Sequence, residues 1–198
     1  MTTSMNQQLE TSLSQRLKTE TSTEHDRMEQ LMEQAKVFEN QSNYARFTLS
    51  QYYFQKDVEH LYAHPDVVQI IPDLDVRGRS DAALLDLKDL GLEPQSTRIA
   101  TDGVSFPQAL GWIYVSEGST LGAAFLFKAA QHQFGFTADF AARNLAAYPE
   151  GRAVVWKRFK RAIDDANFSQ EQQDQVIEGA MQGFSRFGQL LADLEQLK

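Results

Sequence analysis

Residues 111–131 read GWIYVSEGSTLGAAFLFKAAQ. No proline interrupts them, and no alternation of apolar and polar residues suggests a strand. The stretch reads as the body of a long helix from about Phe106 to Phe134 with several internal glycines. Tyr114, Gly118 and Gly122 recur at intervals of four and line one face. A glycine within a helix costs close to ~1 kcal/mol relative to alanine, so two on one face require a reason. One reason is close packing of a second helix against small residues. The other is close approach of the backbone to a ligand, with the freedom to kink. Spacing alone leaves both open.

Outward from this segment the chain also reads as helical. Only 5 prolines and 11 glycines punctuate 198 residues. From about Gln7 to Lys36 the apolar positions Leu9, Leu13, Leu17, Met28, Leu31 and Met32 recur at helical spacing. An aromatic-rich helix follows from about Ser42 to Tyr62, and His64-Pro65 ends it. Ile70–Arg79, with Pro72 and Gly78, is a loop. Ser80-Asp81 opens a short helix to about Leu90, with Gly91 as its C-cap. Glu93–Gly103 is a second loop. Beyond breaks at Gly135 and Pro149-Glu150-Gly151, helices are expected over Val154–Ala166 and Gln170–Leu194. Ser169 and Gln172 have capping-box spacing ahead of the last helix. The expected architecture is all-α, a single domain over 1–198 with a flexible segment at about 1–8.

Composition narrows the function. Hydrophobic residues make up 42% and charged residues 23%, an ordinary globular balance. The net charge of -8 argues against a nucleic-acid partner and against anionic membranes. With no cysteine, disulfides, thiolate–metal sites and cysteine nucleophiles are excluded. The polar start MTTSMNQQLETSLSQ does not read as a secretory signal, and no window approaches the ~20 apolar residues of a membrane span. A cytoplasmic protein is expected, and a monomer, since no exposed apolar stripe demands a partner.

The first helix holds the candidate metal ligand. Seven residues separate Lys18 from His25, a return to within roughly 20° of the same direction at about 10 Å along the axis. Met28 and Met32 continue that face, with Thr21 beside it. The face is ionic at one end, apolar at the other, with an imidazole between. It suits a flat amphipathic ligand with a central metal and peripheral carboxylates, and neutral imidazole is a good ligand for haem iron. A lone histidine on a helix is more often hydrogen-bonded or exposed. The other three, His60, His64 and His132, build no metal cluster with it.

RLKTETSTEHDRMEQL at 16–31, DLKDLGLEP at 86–94, the 111–131 stretch and ARNLAAYPEGR at 142–152 together resemble the haem oxygenase family, in particular its bacterial, iron-acquiring branch. The likeness runs in order along nearly the whole chain, and its specific part is the Tyr114, Gly118 and Gly122 pattern. The resemblance implies haem as both substrate and cofactor, sandwiched between the first helix and a kinked distal helix. It implies cleavage at a meso carbon to biliverdin, carbon monoxide and ferrous iron. It makes His25 the axial iron ligand, and Gly118 and Gly122 the distal kink that admits dioxygen. Lys18 and Tyr114 become contacts to haem propionates, favouring the α meso edge. Ser119 stands where mammalian members carry a water-organising aspartate, so Gln55, Arg79 or Ser119 itself would have to fix distal water. Phe184 and Phe187 either line the pocket or pack the core. Electrons would come from an external ferredoxin, flavodoxin or reductase.

Three other readings compete. A non-enzymatic haem carrier would account for His25, Lys18 and Tyr114, but less readily for the paired glycines. A carboxylate di-iron bundle needs Glu-x-x-His pairs, and no histidine here has a glutamate three residues before it. A purely structural helical module would bind no haem.

Overall fold

The structure, a computed structural model, describes residues 11–197. The expected flexible segment at 1–8, and the expected helix start at Gln7 with Leu9, lie outside the described residues. Those described form eight α-helices: α1 Leu13–Glu20, α2 Ser22–Ala35, α3 Gln41–His60, α4 Pro65–Ile70, α5 Ser80–Asp89, α6 Gln108–Phe134, α7 Arg152–Asp165 and α8 Gln170–Ala192. Short 3₁₀ turns and isolated bridges around Thr137 complete them, and no strand is present among the described residues.

The first helix is two helices, not the single one its periodicity implies. Thr21 interrupts it with φ -102° and ψ 7°. Its hydroxyl donates to the Leu17 carbonyl at 2.7 Å, the back-bonding by which threonine bends a helix. The neighbours Thr19, Ser22 and Thr23 are weak helix formers too. The seven-residue alignment of Lys18 with His25 assumed one regular helix. The two residues instead stand on separate helices across the Thr21 joint.

Most other boundaries follow the sequence. Helix α3 ends at His60, ahead of the expected break, and a 3₁₀ turn at Leu61–Ala63 leads to His64-Pro65, which begins α4, with Pro65 in the first turn and the His64 ring accepting from the Asp66 amide at 3.2 Å. Gly91 takes φ +70° after α5. The Ser169 and Gln172 capping box forms, its two bonds at 3.3 and 3.0 Å. The start of α5 differs. Its cap is not a serine or aspartate of its own but the Glu59 carboxylate of α3, which accepts from the amides of Arg79 at 2.6 Å and Ser80 at 2.7 Å.

One contiguous apolar core joins the helices. The central pair is α6 and α8, brought together by Gly111 and Gly179. A Cβ on Gly111 would stand 2.0 Å from the Val176 carbonyl oxygen, and one on Gly179 would stand 2.0 Å from that of Gln108. Helix α2 meets the far end of α8, where a Cβ on Gly188 would reach Arg27 and the Met28 methyl. Helix α3 covers another side of α6, with Phe54 stacked on Trp112 at 6.3 Å.

Candidate active site

His25 lies one turn beyond Thr21, its amide donating to the Thr21 carbonyl at 3.1 Å. Its imidazole is 67% exposed, with Nδ1 3.5 Å from Glu29. A carboxylate at one ring nitrogen orients the ring and leaves the other for a metal. Lys18 is exposed in the last turn of α1. Thr21 is buried, and its hydroxyl meets the phenol of Tyr114 on α6. This contact joins the histidine-bearing segment to the glycine-bearing helix. Burial pushes the Tyr114 phenol above its ordinary pKa of 10.0, and the Thr21 hydroxyl pulls against that, so the phenol is neutral near pH 7.

On α6 the two glycines part company. Gly122 has open space where a Cβ would project, whereas Gly118 faces the Trp156 ring of α7 at 3.6 Å. Tyr114 packs on the same indole, ring centroids 5.2 Å apart. Neither glycine makes the tight helix contact that the four-residue spacing left open; Gly111 makes it instead. Beside Gly122, Leu121 and Phe125 turn outward, 39% and 76% exposed. An apolar, glycine-floored surface of this kind fits a flat hydrophobic ligand that would cover it.

Other expected site residues are less directly placed there. Met28 is buried against α8 at Gly188, away from the exposed course of His25. Phe184 is buried, and Phe187 is half-buried with its ring 5.2 Å from Phe54. Both pack the core. Ser119 is exposed, its hydroxyl donating to the Ser116 carbonyl at 2.6 Å.

Behind the glycines lies a buried polar layer. The Arg79 guanidinium donates to the Ser116 carbonyl at 3.2 Å and to its hydroxyl oxygen at 3.1 Å. That hydroxyl stands 3.3 Å from the Gln55 side-chain oxygen. Glu117, directly before Gly118, is fully buried. It accepts from Arg77 at 2.6 Å and from the Tyr148 phenol at 2.8 Å. Burial and the adjacent Glu117 charge push Tyr148 up, keeping it a donor. Tyr62 is pushed up by the same two causes. The Tyr62 hydroxyl and the Arg79 Nε are buried without a hydrogen-bond partner among the described residues.

Sequence reasoning missed Trp156 and the Arg77–Glu117–Tyr148 set. Trp156 carries no local signal, because only the packing of α7 on α6 brings it beneath Gly118. Glu117 did carry one: it is the lone charge in the apolar run from Ala109 to Phe127, and a buried charge requires a partner.

The all-helical fold, with no strand among the described residues, is that of the heme oxygenases. The heme oxygenase family profile matches residues 11–193, and the chain belongs to that family. It is 43% identical over 182 residues, 90% of each chain, to heme oxygenase PigA of Pseudomonas aeruginosa. It is similar to the NO- and CO-bound heme oxygenase of Neisseria meningitidis, with a TM-score of 0.87 and 35% identity over 94% of each chain. The heme oxygenase of Leptospira interrogans shares the fold at a TM-score of 0.79 and 19% identity, over 92% of this chain and all of that one.

Proposed function

We infer that this chain is a haem-degrading oxygenase that opens haem at a meso carbon to biliverdin, carbon monoxide and ferrous iron. The observation that supports this reading is the Thr21–Tyr114 contact, which ties the segment carrying His25 to the glycine-bearing helix α6. The residues fit the ligand: an exposed imidazole, a glycine with free space above it, and outward Leu121 and Phe125 whose burial would favour binding. When bound, haem supplies the iron chemistry that activates dioxygen.

The protein's own residues bind, orient and deliver protons. His25 would hold the haem iron, with Glu29 3.5 Å from its Nδ1. Lys18 and Tyr114 would hold propionates, the lysine through a charge-assisted contact, which favours the α meso edge. The Gly118–Gly122 turn of α6 would leave room for dioxygen, Gly122 bringing no side chain to that face while Trp156 of α7 packs on Gly118. Thr21, Met28, Phe184 and Phe187 support these groups from the core side. No carboxylate occupies position 119, so protons arrive through water held by Gln55, Ser116, Ser119 and Arg79. The unpartnered Tyr62 hydroxyl and Arg79 Nε offer that water further partners.

Among the described residues no helix is long and apolar enough to cross a membrane. We assign the protein to the cytoplasm as a monomer, its electrons delivered by a ferredoxin, a flavodoxin or a reductase and its iron released for nutrition. The test is His25→Ala. Haem still binds, with an altered absorption spectrum, and biliverdin production ceases. A variant with the native spectrum and full product would refute the assignment. A haem carrier, by contrast, would bind haem and yield no biliverdin under reductant in the unmutated protein.

A further inference from the structure

Arg152, the first residue of α7, carries a half-buried guanidinium. It donates to the Thr120 carbonyl of α6 at 2.7 Å and to the Leu145 carbonyl. Burial and the like charge of Arg79 press its pKa down, and no carboxylate contributes. A cation held in this way, on main-chain carbonyls alone, has a positional role rather than an ion-pairing one. Thr120 lies between Gly118 and Gly122, and its carbonyl is the acceptor that the Ala124 amide uses in a regular helix. A carbonyl oxygen has two lone pairs, so a charged side-chain donor there adds to the ladder bond and ties this turn of α6 to α7. One turn earlier, Arg79 donates likewise to the Ser116 carbonyl. Trp156, one turn along α7 from Arg152, covers Gly118. The helix backbone is thus gripped on both sides of Gly118 by groups that do not belong to it.

We propose that Arg79 and Arg152 are positioning residues, a two-point guanidinium clamp on the Ser116 and Thr120 carbonyls that fixes the glycine-bearing turn of α6. Through that turn the clamp sets how deep the oxygen-side pocket is and which meso edge is attacked. The second half of this statement rests on the reading of α6 as the wall above haem; the clamp itself does not.

The test uses Arg152→Met, with Arg152→Lys as the conservative variant. In the haem-free protein, amide hydrogen exchange over 118–126 accelerates about tenfold in the methionine variant, the order expected for losing a hydrogen bond to a charged donor. Exchange in α3 and α8 is unchanged. Lysine, which keeps one charged donor, restores most of the protection. In the haem-loaded protein the methionine variant shifts the ratio of biliverdin isomers while still binding haem. Wild-type exchange over 118–126 in the methionine variant overturns the clamp. Equal acceleration in every helix does too, since it marks a merely structural role. If the methionine variant fails to fold, Arg152→Gln replaces it, with severalfold acceleration expected and none overturning the proposal. Unmutated protein that makes no biliverdin refutes the enzymatic reading and leaves the exchange result standing.

Discussion

Gly111 and Gly122 sit eleven residues apart on one helix, and alanine at each should act with opposite sign. At Gly111 the added Cβ would lie 2.0 Å from the Val176 oxygen, 2.3 Å from the Ala180 nitrogen and 2.7 Å from the Gly179 carbonyl carbon. All three are backbone atoms, so no rotamer change relieves the clash, and α6 and α8 must separate. Overpacking of this kind costs about 3 kcal/mol, the upper end of the usual range. The intrinsic preference of a helix for alanine returns about 1 kcal/mol, leaving a net loss of about 2 kcal/mol. For a chain of this length that corresponds to a melting temperature about 4–8 °C lower. At Gly122 nothing lies within 4 Å of the new methyl. Only the propensity gain remains, about 1 kcal/mol, so the haem-free protein should melt about 2–4 °C higher. Thermal unfolding followed by far-ultraviolet circular dichroism measures both. Haem titration and biliverdin yield complete the comparison: Gly122→Ala should impair turnover while stabilising the apoprotein. A Gly122→Ala protein that melts low, or that turns haem over at the wild-type rate, would sink the assignment of Gly122 to the ligand face.

The buried Arg77–Glu117 pair supplies a second prediction. Arg77→Met leaves Glu117 uncompensated and should lower unfolding free energy by about 3–5 kcal/mol, read from denaturant midpoints. Arg77→Met combined with Glu117→Leu should recover part of that loss, and a double variant no better than the single one refutes the pairing. The cap on α8 is smaller: Ser169→Ala should cost about 1 kcal/mol by the same measurement, and no change would mean that the capping box contributes nothing. Acid stability provides a further check. Arg143 holds the Asp89 carboxyl below its usual 3.8. A depressed carboxylate contributes stability that is complete above the ordinary value and lost as pH falls through the lowered one. Asp89→Asn should therefore flatten the stability–pH curve below about pH 4, and identical slopes in the two proteins would exclude the mechanism.

The sequence by itself determined the helical class, the approximate extents of the longer helices and the principal ligand candidate, but not the break at Thr21 or the short helix α4. Those properties are local. Apolar spacing, Gly91, the Ser169–Gln172 box and His64-Pro65 act within one or two turns, and the 111–131 pattern is continuous in the chain. The joint at Thr21 was half visible, since its hydroxyl neighbours are poor helix formers, but periodicity bridged it because back-bonding leaves the apolar repeat nearly intact. What the tertiary structure decided was which glycine does what. Tyr114, Gly118 and Gly122 share one spacing, yet α7 lays Trp156 on Gly118 and leaves Gly122 open, and α8 claims Gly111. The cap of α5 likewise comes from Glu59, some twenty residues upstream. The buried layer of Arg77, Glu117, Tyr148, Arg79 and Arg152 draws on α6, α7 and the loops between helices. Its residues meet only when the chain folds, because a buried charge finds its partner through packing rather than through position in sequence.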